Sequence, residues 1–109
     1  METCVFCKIA NKELPATFLY QDEQVMVFND IHPVREFHVL IVPKTHIVDT
    51  GAVEEIGIFA KLFEIAKKVI TQEKLNGKGY RIVINGGGAQ LIDHLHLHLM
   101  APVTKTAKM

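Results

Sequence analysis

Apolar positions along the chain fall into two periods, and each change of period marks an element. Val5, Phe6 and Ile9 have partial helical spacing, which predicts a short helix over 4–10. Leu14-Pro15 closes it, because proline cannot continue the hydrogen-bond ladder. Residues 17–21 and 25–29 read as two strands around the turn Asp22-Glu23-Gln24. Residues 38–42 are an apolar, β-branched run stopped by Pro43, the pattern of a strand buried on both faces. From 53 to about 72 the period becomes helical, through Ile56, Ala60, Phe63, Ala66 and Ile70, with Lys61, Glu64, Lys67 and Lys68 on the wet side. Asn76-Gly77 ends this helix. Residues 80–85 read as a strand, Gly86-Gly87-Gly88 as a tight connection, and 94–100 as a last, strictly alternating strand. The tail 105–109 is expected to fray. Hairpins around one long helix predict an α+β fold: an antiparallel sheet of about five strands, the long helix and the short N-terminal one. Ile58, Phe59, Leu62 and Ile65 add apolar surface beyond the main helical stripe, more than one sheet can cover, and such a surplus marks an interface.

Composition narrows the classes. The 109 residues suit one domain, 1–109, long enough to bury a core without disulfide staples. Formal net charge is zero, so there is no basic stripe for nucleic-acid phosphates and no nucleic-acid partner is expected. No apolar stretch approaches the roughly 20 residues that span a bilayer. The start Met-Glu-Thr-Cys-Val-Phe lacks the features of a secretory signal, so a cytoplasmic location is expected. In a reducing compartment the two cysteines, Cys4 and Cys7, suit metal or redox chemistry better than a structural disulfide.

The densest chemistry is His94-Leu95-His96-Leu97-His98. Successive strand side chains point to opposite faces, so the histidines share one face and the leucines the other. Neighbouring Cα atoms in the row would lie roughly 7 Å apart, a spacing that suits a string of phosphates. Imidazole titrates near neutrality, so one row can hold a neutral nucleophile beside a cationic phosphate binder. A surface strand whose polar face happens to be histidine is the alternative, but strict alternation of three of the chain's six histidines argues against it.

Here the sequence resembles the histidine-triad (HIT) family. His94-Leu95-His96-Leu97-His98-Leu99-Met100 resembles its signature, and almost the whole chain follows in order: Cys4 to Ile9, Phe28-Asn29-Asp30-Ile31-His32-Pro33, His38 to His46, and Arg81 to Gly86. The resemblance implies a HIT-like fold and a hydrolase or transferase acting at the α-phosphorus of a nucleoside monophosphate derivative. His96 would be the nucleophile and carry a nucleotidyl intermediate. His98 would contact phosphate, and His38 would line the site and help orient the nucleophile. Asp30 would accept the ribose hydroxyls, Asn85 and the glycine loop would hold phosphate, and Val5, Phe6, Ile9, Phe28 and Ile31 would form the base slot. Purine nucleotides and nucleoside phosphoramidates are the implied ligands, and a homodimer through the long helix and a strand edge the implied assembly. The rival readings are a dinucleoside polyphosphate hydrolase, a nucleotide-binding regulator with little turnover, and a zinc-stabilised interaction module. One departure stands out. Many catalytic members carry Ser or Thr shortly before the triad, whereas residues 86–93 here hold no hydroxyl. Gln90 or a main-chain amide would have to substitute.

Cys4 and Cys7 also have the spacing of a zinc half-site. Two buried free thiols or a redox pair would read alike. The resemblance supplies the other two ligands as His46 and His94, and implies a closed, structural zinc site that leaves His96 and His98 free.

Overall fold

Alternation in the middle of the chain produces a sheet with two dry faces. The computed structural model describes residues 3–105. In chain order it contains α1 (Val5–Ala10), β1 (Phe18–Gln21), β2 (Val25–Asn29), β3 (Phe37–Pro43), α2 (Gly57–Gln72), β4 (Arg81–Ile84) and β5 (Leu97–Ala101), with a 3₁₀ turn at Thr50–Ala52. The five strands pair antiparallel in the order β1-β2-β3-β5-β4. Val25, Val27, Val39, Ile41, Leu97 and Leu99 point to one face, where α2 covers them. Met26, Phe28, Leu40 and Val42 point to the other, where Phe6 and Cys7 of α1 join them. Each fully buried Leu or Ile contributes roughly 1.5–3 kcal/mol relative to exposure. β3 is buried along almost its whole length, as its apolar run predicts.

Two expectations change. The long helix starts at Gly57 rather than 53, since Val53 has extended backbone and its side chain packs on the core. The buried face of α2 is also rotated. Leu62, Ile65, Ala66, Val69 and Ile70 form the core side, while Ile56 is 69% exposed and Phe63 44%. Apolar residues occupy more than half of this helix, so periodicity alone does not choose the inner side. The surplus apolar surface is therefore the stripe Ile56, Ala60 and Phe63. The frayed tail, beyond Lys105, concerns residues outside the described range. Among the described residues no helix is long and apolar enough to cross a membrane.

Register places the chemistry. His38 on β3 pairs with Met100 of β5, and Leu40 with His98. His38, His96 and His98 thus reach the face that carries α1. The last ladder begins at Leu97, later than expected, because the chain turns at Ile92–His94 and the Leu95 N–H donates to the Ile47 carbonyl at 2.6 Å.

Candidate functional site

A cavity of about 560 Å³ opens between α1, the end of β2, the glycine loop and the triad segment. Val5, Phe6, Ile9, Phe28, Asp30, Ile31, Asn85, His96 and His98, all singled out from the sequence, line it. Phe6 packs edge-on to His96 at 5.2 Å and to Phe28 at 5.7 Å, so the short helix props the nucleophile candidate as well as walling the cavity. Lining residues that escaped the sequence reading are Leu40 of β3, the group Pro15, Ala16 and Thr17 after α1, and the group Ala89, Leu91 and Ile92 before the triad. The apolar pair Leu91-Ile92 after a glycine run was the available signal for the last group.

The hydrogen bonds assign the protons. His96 Nδ1 lies 2.7 Å from the His94 carbonyl, which can only accept, so Nδ1 carries a proton and, in the neutral ring, Nε2 is the nitrogen with the lone pair. The Val34 N–H donates to His38 Nδ1 at 3.1 Å, so neutral His38 carries its proton on Nε2 and donates to His98 Nδ1 at 2.8 Å. His98 then holds its own proton on Nε2, where a phosphate oxygen could accept it. His38 therefore orients His98, not His96 as expected, because register sets it diagonal to His98. Asp30 accepts from the His32 N–H at 2.8 Å with Oδ1, and its Oδ2 lies 3.4 Å from His38 Nε2. Asp30, His38 and His98 bring three donor atoms together as a metal cage would. The bond from Val34 argues for a relay instead, since it leaves a proton on the His38 nitrogen that faces the other two. Gln90 does not line the cavity: its Oε1 accepts from the Gly88 N–H and its Nε2 donates to the Val48 carbonyl. It fastens the glycine loop, where Gly87 and Gly88 have φ of 67° and 99°. Asp49 helps by accepting from the Gly87 N–H at 2.8 Å.

His94 departs from the expected row of three. It is fully buried and absent from the cavity wall. Its Nε2 donates to the Pro43 carbonyl at 2.7 Å, which turns the bare Nδ1 towards Cys4 Sγ at 3.3 Å and Cys7 Sγ at 3.6 Å. His46 Nδ1 lies 3.2 Å from Cys7 Sγ. These four residues form a cluster whose donor atoms lie within 4.8 Å of one another. In a tetrahedral zinc site sulfur and nitrogen ligands sit about 3.5 Å apart, so the separations fit. A ligating histidine anchored through its other nitrogen to a carbonyl is the usual outer-shell arrangement. The residues therefore suit a closed, structural metal site that ties α1 to the sheet.

Burial lowers His38 and His98 below the ordinary imidazole value of 6.5, and lowers His94 to about 4. Unfolded, all three take up protons near 6.5; folded, they resist. The stability this represents is complete above about 6.5 and is lost as pH falls through the lower folded values. Metal-stripped protein is expected to melt at progressively lower temperature between pH 7 and pH 5, by scanning calorimetry. A flat profile over that range would contradict the buried, neutral state of these rings.

Comparison with known proteins agrees with this geometry. The HIT domain profile matches residues 11–105. The chain is 43% identical over 102 residues to a 14 kDa zinc-binding protein of Zea mays, covering 88% of this chain and 79% of that one. It is 42% identical over 102 residues to the adenylylsulfatase HINT1 of Arabidopsis thaliana, covering 88% of this chain and 69% of that one. A solved HIT family hydrolase from Clostridium thermocellum superposes with TM-score 0.92 at 41% identity, covering 100% of this chain and 98% of that one. With its two-faced sheet and its alternating histidines, the chain belongs to the histidine-triad (HIT) family and is a hydrolase of that family.

Proposed function

We propose that this protein hydrolyses nucleoside monophosphate derivatives at the α-phosphorus through a nucleotidyl-His96 intermediate, with purine nucleoside phosphoramidates among its substrates. The observation that carries the reading is the 2.7 Å bond from His96 Nδ1 to the His94 carbonyl. It leaves a bare Nε2 on a ring that lines the cavity beside His98, the state a nucleophile needs. His98 Nε2–H would donate to a non-bridging phosphate oxygen as charge builds there. Asp30 Oδ2 retains lone pairs for ribose hydroxyls. Phe6, Ile9, Phe28 and Ile31 would enclose the base. The relative named adenylylsulfatase supports a nucleotide substrate. Zinc on Cys4, Cys7, His46 and His94 would hold α1 against the sheet and supply structure only. The test is a rapid quench with radiolabelled adenosine phosphoramidate, followed by mapping of the modified residue. Label on His96 is expected; label on His98 or His38 would overturn the assignment.

The reading includes a homodimer. The exposed stripe of Ile56, just before α2, with Ala60 and Phe63 on it, and the open outer edge of β4 offer one copy an apolar face and an unpaired strand. Sedimentation at micromolar concentration is expected to give twice the 12.3 kDa chain mass. Phe63→Lys should shift the protein towards monomer, and a monomeric wild type would refute the assembly.

A further inference from the structure

Cys4 and Cys7 bracket the first turn of α1, Cys4 as its N-cap and Cys7 inside the helix. The Cys7 N–H donates to Cys4 Sγ at 3.4 Å, and the two sulfurs lie within 4.8 Å of each other. Both cysteines are free and buried. They are not equally placed. Cys4 forms part of the wall of a groove of about 400 Å³, beside His46, Val48 and Asp93, whereas Cys7 is absent from that wall. A small polar solute can therefore reach the sulfur of Cys4, and Cys7 stands behind it. Two sets of contacts hold α1 to the sheet. The sulfurs face His46 and His94, and Phe6 packs on Phe28 and His96. The same helix gives Val5, Phe6 and Ile9 to the nucleotide cavity.

We propose that Cys4 and Cys7 are a peroxide-sensitive pair: Cys4 is oxidised first, Cys7 closes a disulfide on it, and the bond frees α1 from His46 and His94 and weakens nucleotide binding. The effect on binding rests on the nucleotide reading above and the release of a cation on the zinc reading; the disulfide rests on neither. The Cys4 thiolate attacks one oxygen of the peroxide. An S–O bond forms, the O–O bond breaks, and the hydroxide that leaves takes a proton from solvent as water. Cys4 is then a sulfenic acid, which condenses with a nearby thiol. The Cys7 thiolate attacks the Cys4 sulfur, the S–S bond forms, the S–O bond breaks, and a second hydroxide leaves as water. The sulfurs lose two electrons and the peroxide gains them. A disulfide offers no thiolate to a cation or to the imidazoles. His94 stays fastened to the Pro43 carbonyl, so the sheet keeps its side of the cluster and α1 is the part released.

The experiment treats reduced protein with hydrogen peroxide. It follows free thiols, the peptide map, zinc release to a chromogenic chelator, and Kd for adenosine 5′-monophosphate by titration calorimetry. Both thiols of the chain are expected to disappear into a Cys4–Cys7 cross-link with no added oxygen. Bound zinc should be released, and Kd should rise about fivefold or more, the low end of coupling between two sites. Dithiothreitol with zinc should reverse all of these changes. Dimedone, which traps sulfenic acids, should label Cys4 in Cys7→Ser and leave Cys7 unlabelled in Cys4→Ser, with circular dichroism as the check on folding. Surviving thiols, sulfinic acid on Cys4 without a cross-link, or an unchanged Kd in cross-linked protein would each overturn the proposal. Dimedone on Cys7 instead of Cys4 would overturn the order of oxidation. A cross-link formed in protein purified without zinc would refute the metal reading and leave this one standing. Reduced protein that bound no nucleotide would refute the functional reading, and with it the effect on binding.

Discussion

A His96→Gly variant is expected to lose at least about 10⁴-fold in kcat and to form no covalent intermediate, while still binding nucleotide. Removing a nucleophile costs several orders of magnitude because neighbouring groups cannot replace a covalent step. His98 lies 4.9 Å away, ring to ring, but its Nδ1 accepts from His38 and its remaining nitrogen carries a proton. His38 has no bare nitrogen either, since Val34 and His98 occupy both. Both of these imidazoles are thus already committed. The Phe6, Phe28 and Asp30 side of the cavity is untouched, so Kd for a nucleoside monophosphate should change by less than about threefold. His96→Asn provides a check on packing, because His96 is buried against Phe6. His98→Asn should behave differently and lose roughly 10²–10³-fold through weaker stabilisation of the phosphate oxygen. Single-turnover kinetics with isothermal titration would separate the two residues. Near wild-type turnover in both His96 variants would overturn the mechanism.

The second large effect is on stability. A double Cys4→Ser, Cys7→Ser variant is expected to bind no zinc and to melt roughly 10 °C lower than wild type. That corresponds to about 2 kcal/mol for a chain of this size, a small part of the roughly 10–16 kcal/mol that zinc supplies to zinc-finger peptides. The smaller figure is appropriate because the sheet and α2 form a core of their own, and the metal would secure α1 alone. In the metal-free state burial, and then the neighbouring Cys4, pushes the Cys7 thiol above its usual range, so Cys7 would remain a neutral thiol where a bound metal would hold a thiolate. The variant should keep measurable turnover with a raised KM, because Val5, Phe6 and Ile9 come from α1 while His96 and His98 do not. Metal analysis and calorimetry test this directly. Protein purified reduced and without chelator that contained no zinc would defeat the metal assignment.

Much of this architecture was legible in the residues. A turn placed β1 and β2, a continuous apolar run placed β3, and a period of two placed the histidine segment, since alternation in a sheet leaves each side chain one face only. The proline and glycine stops placed most of the element ends. The base-slot residues and Asp30 were identified by resemblance, and the fold brings them round one cavity. The inner face of α2 was not legible, because apolar residues surround more than half of it. Leu91 was passed over because an apolar pair in a loop, though visible after the glycine run, has no period to give it a face.

Which residue types meet at the site is a property of order and alternation, and local sequence carries that. Which nitrogen holds each proton is not, because it depends on acceptors and donors delivered by distant segments. The Pro43 carbonyl turns His94 away from the cavity and towards the cysteines, across 51 positions of chain. The diagonal contact of β3 with β5 gives His38 to His98 rather than to His96. A loop fastened by Asp49 and Gln90 brings Leu91 to the cavity wall. Each of these is a hydrogen bond or contact across the fold, formed only when separate elements pack, so only tertiary structure could make three similar imidazoles chemically different.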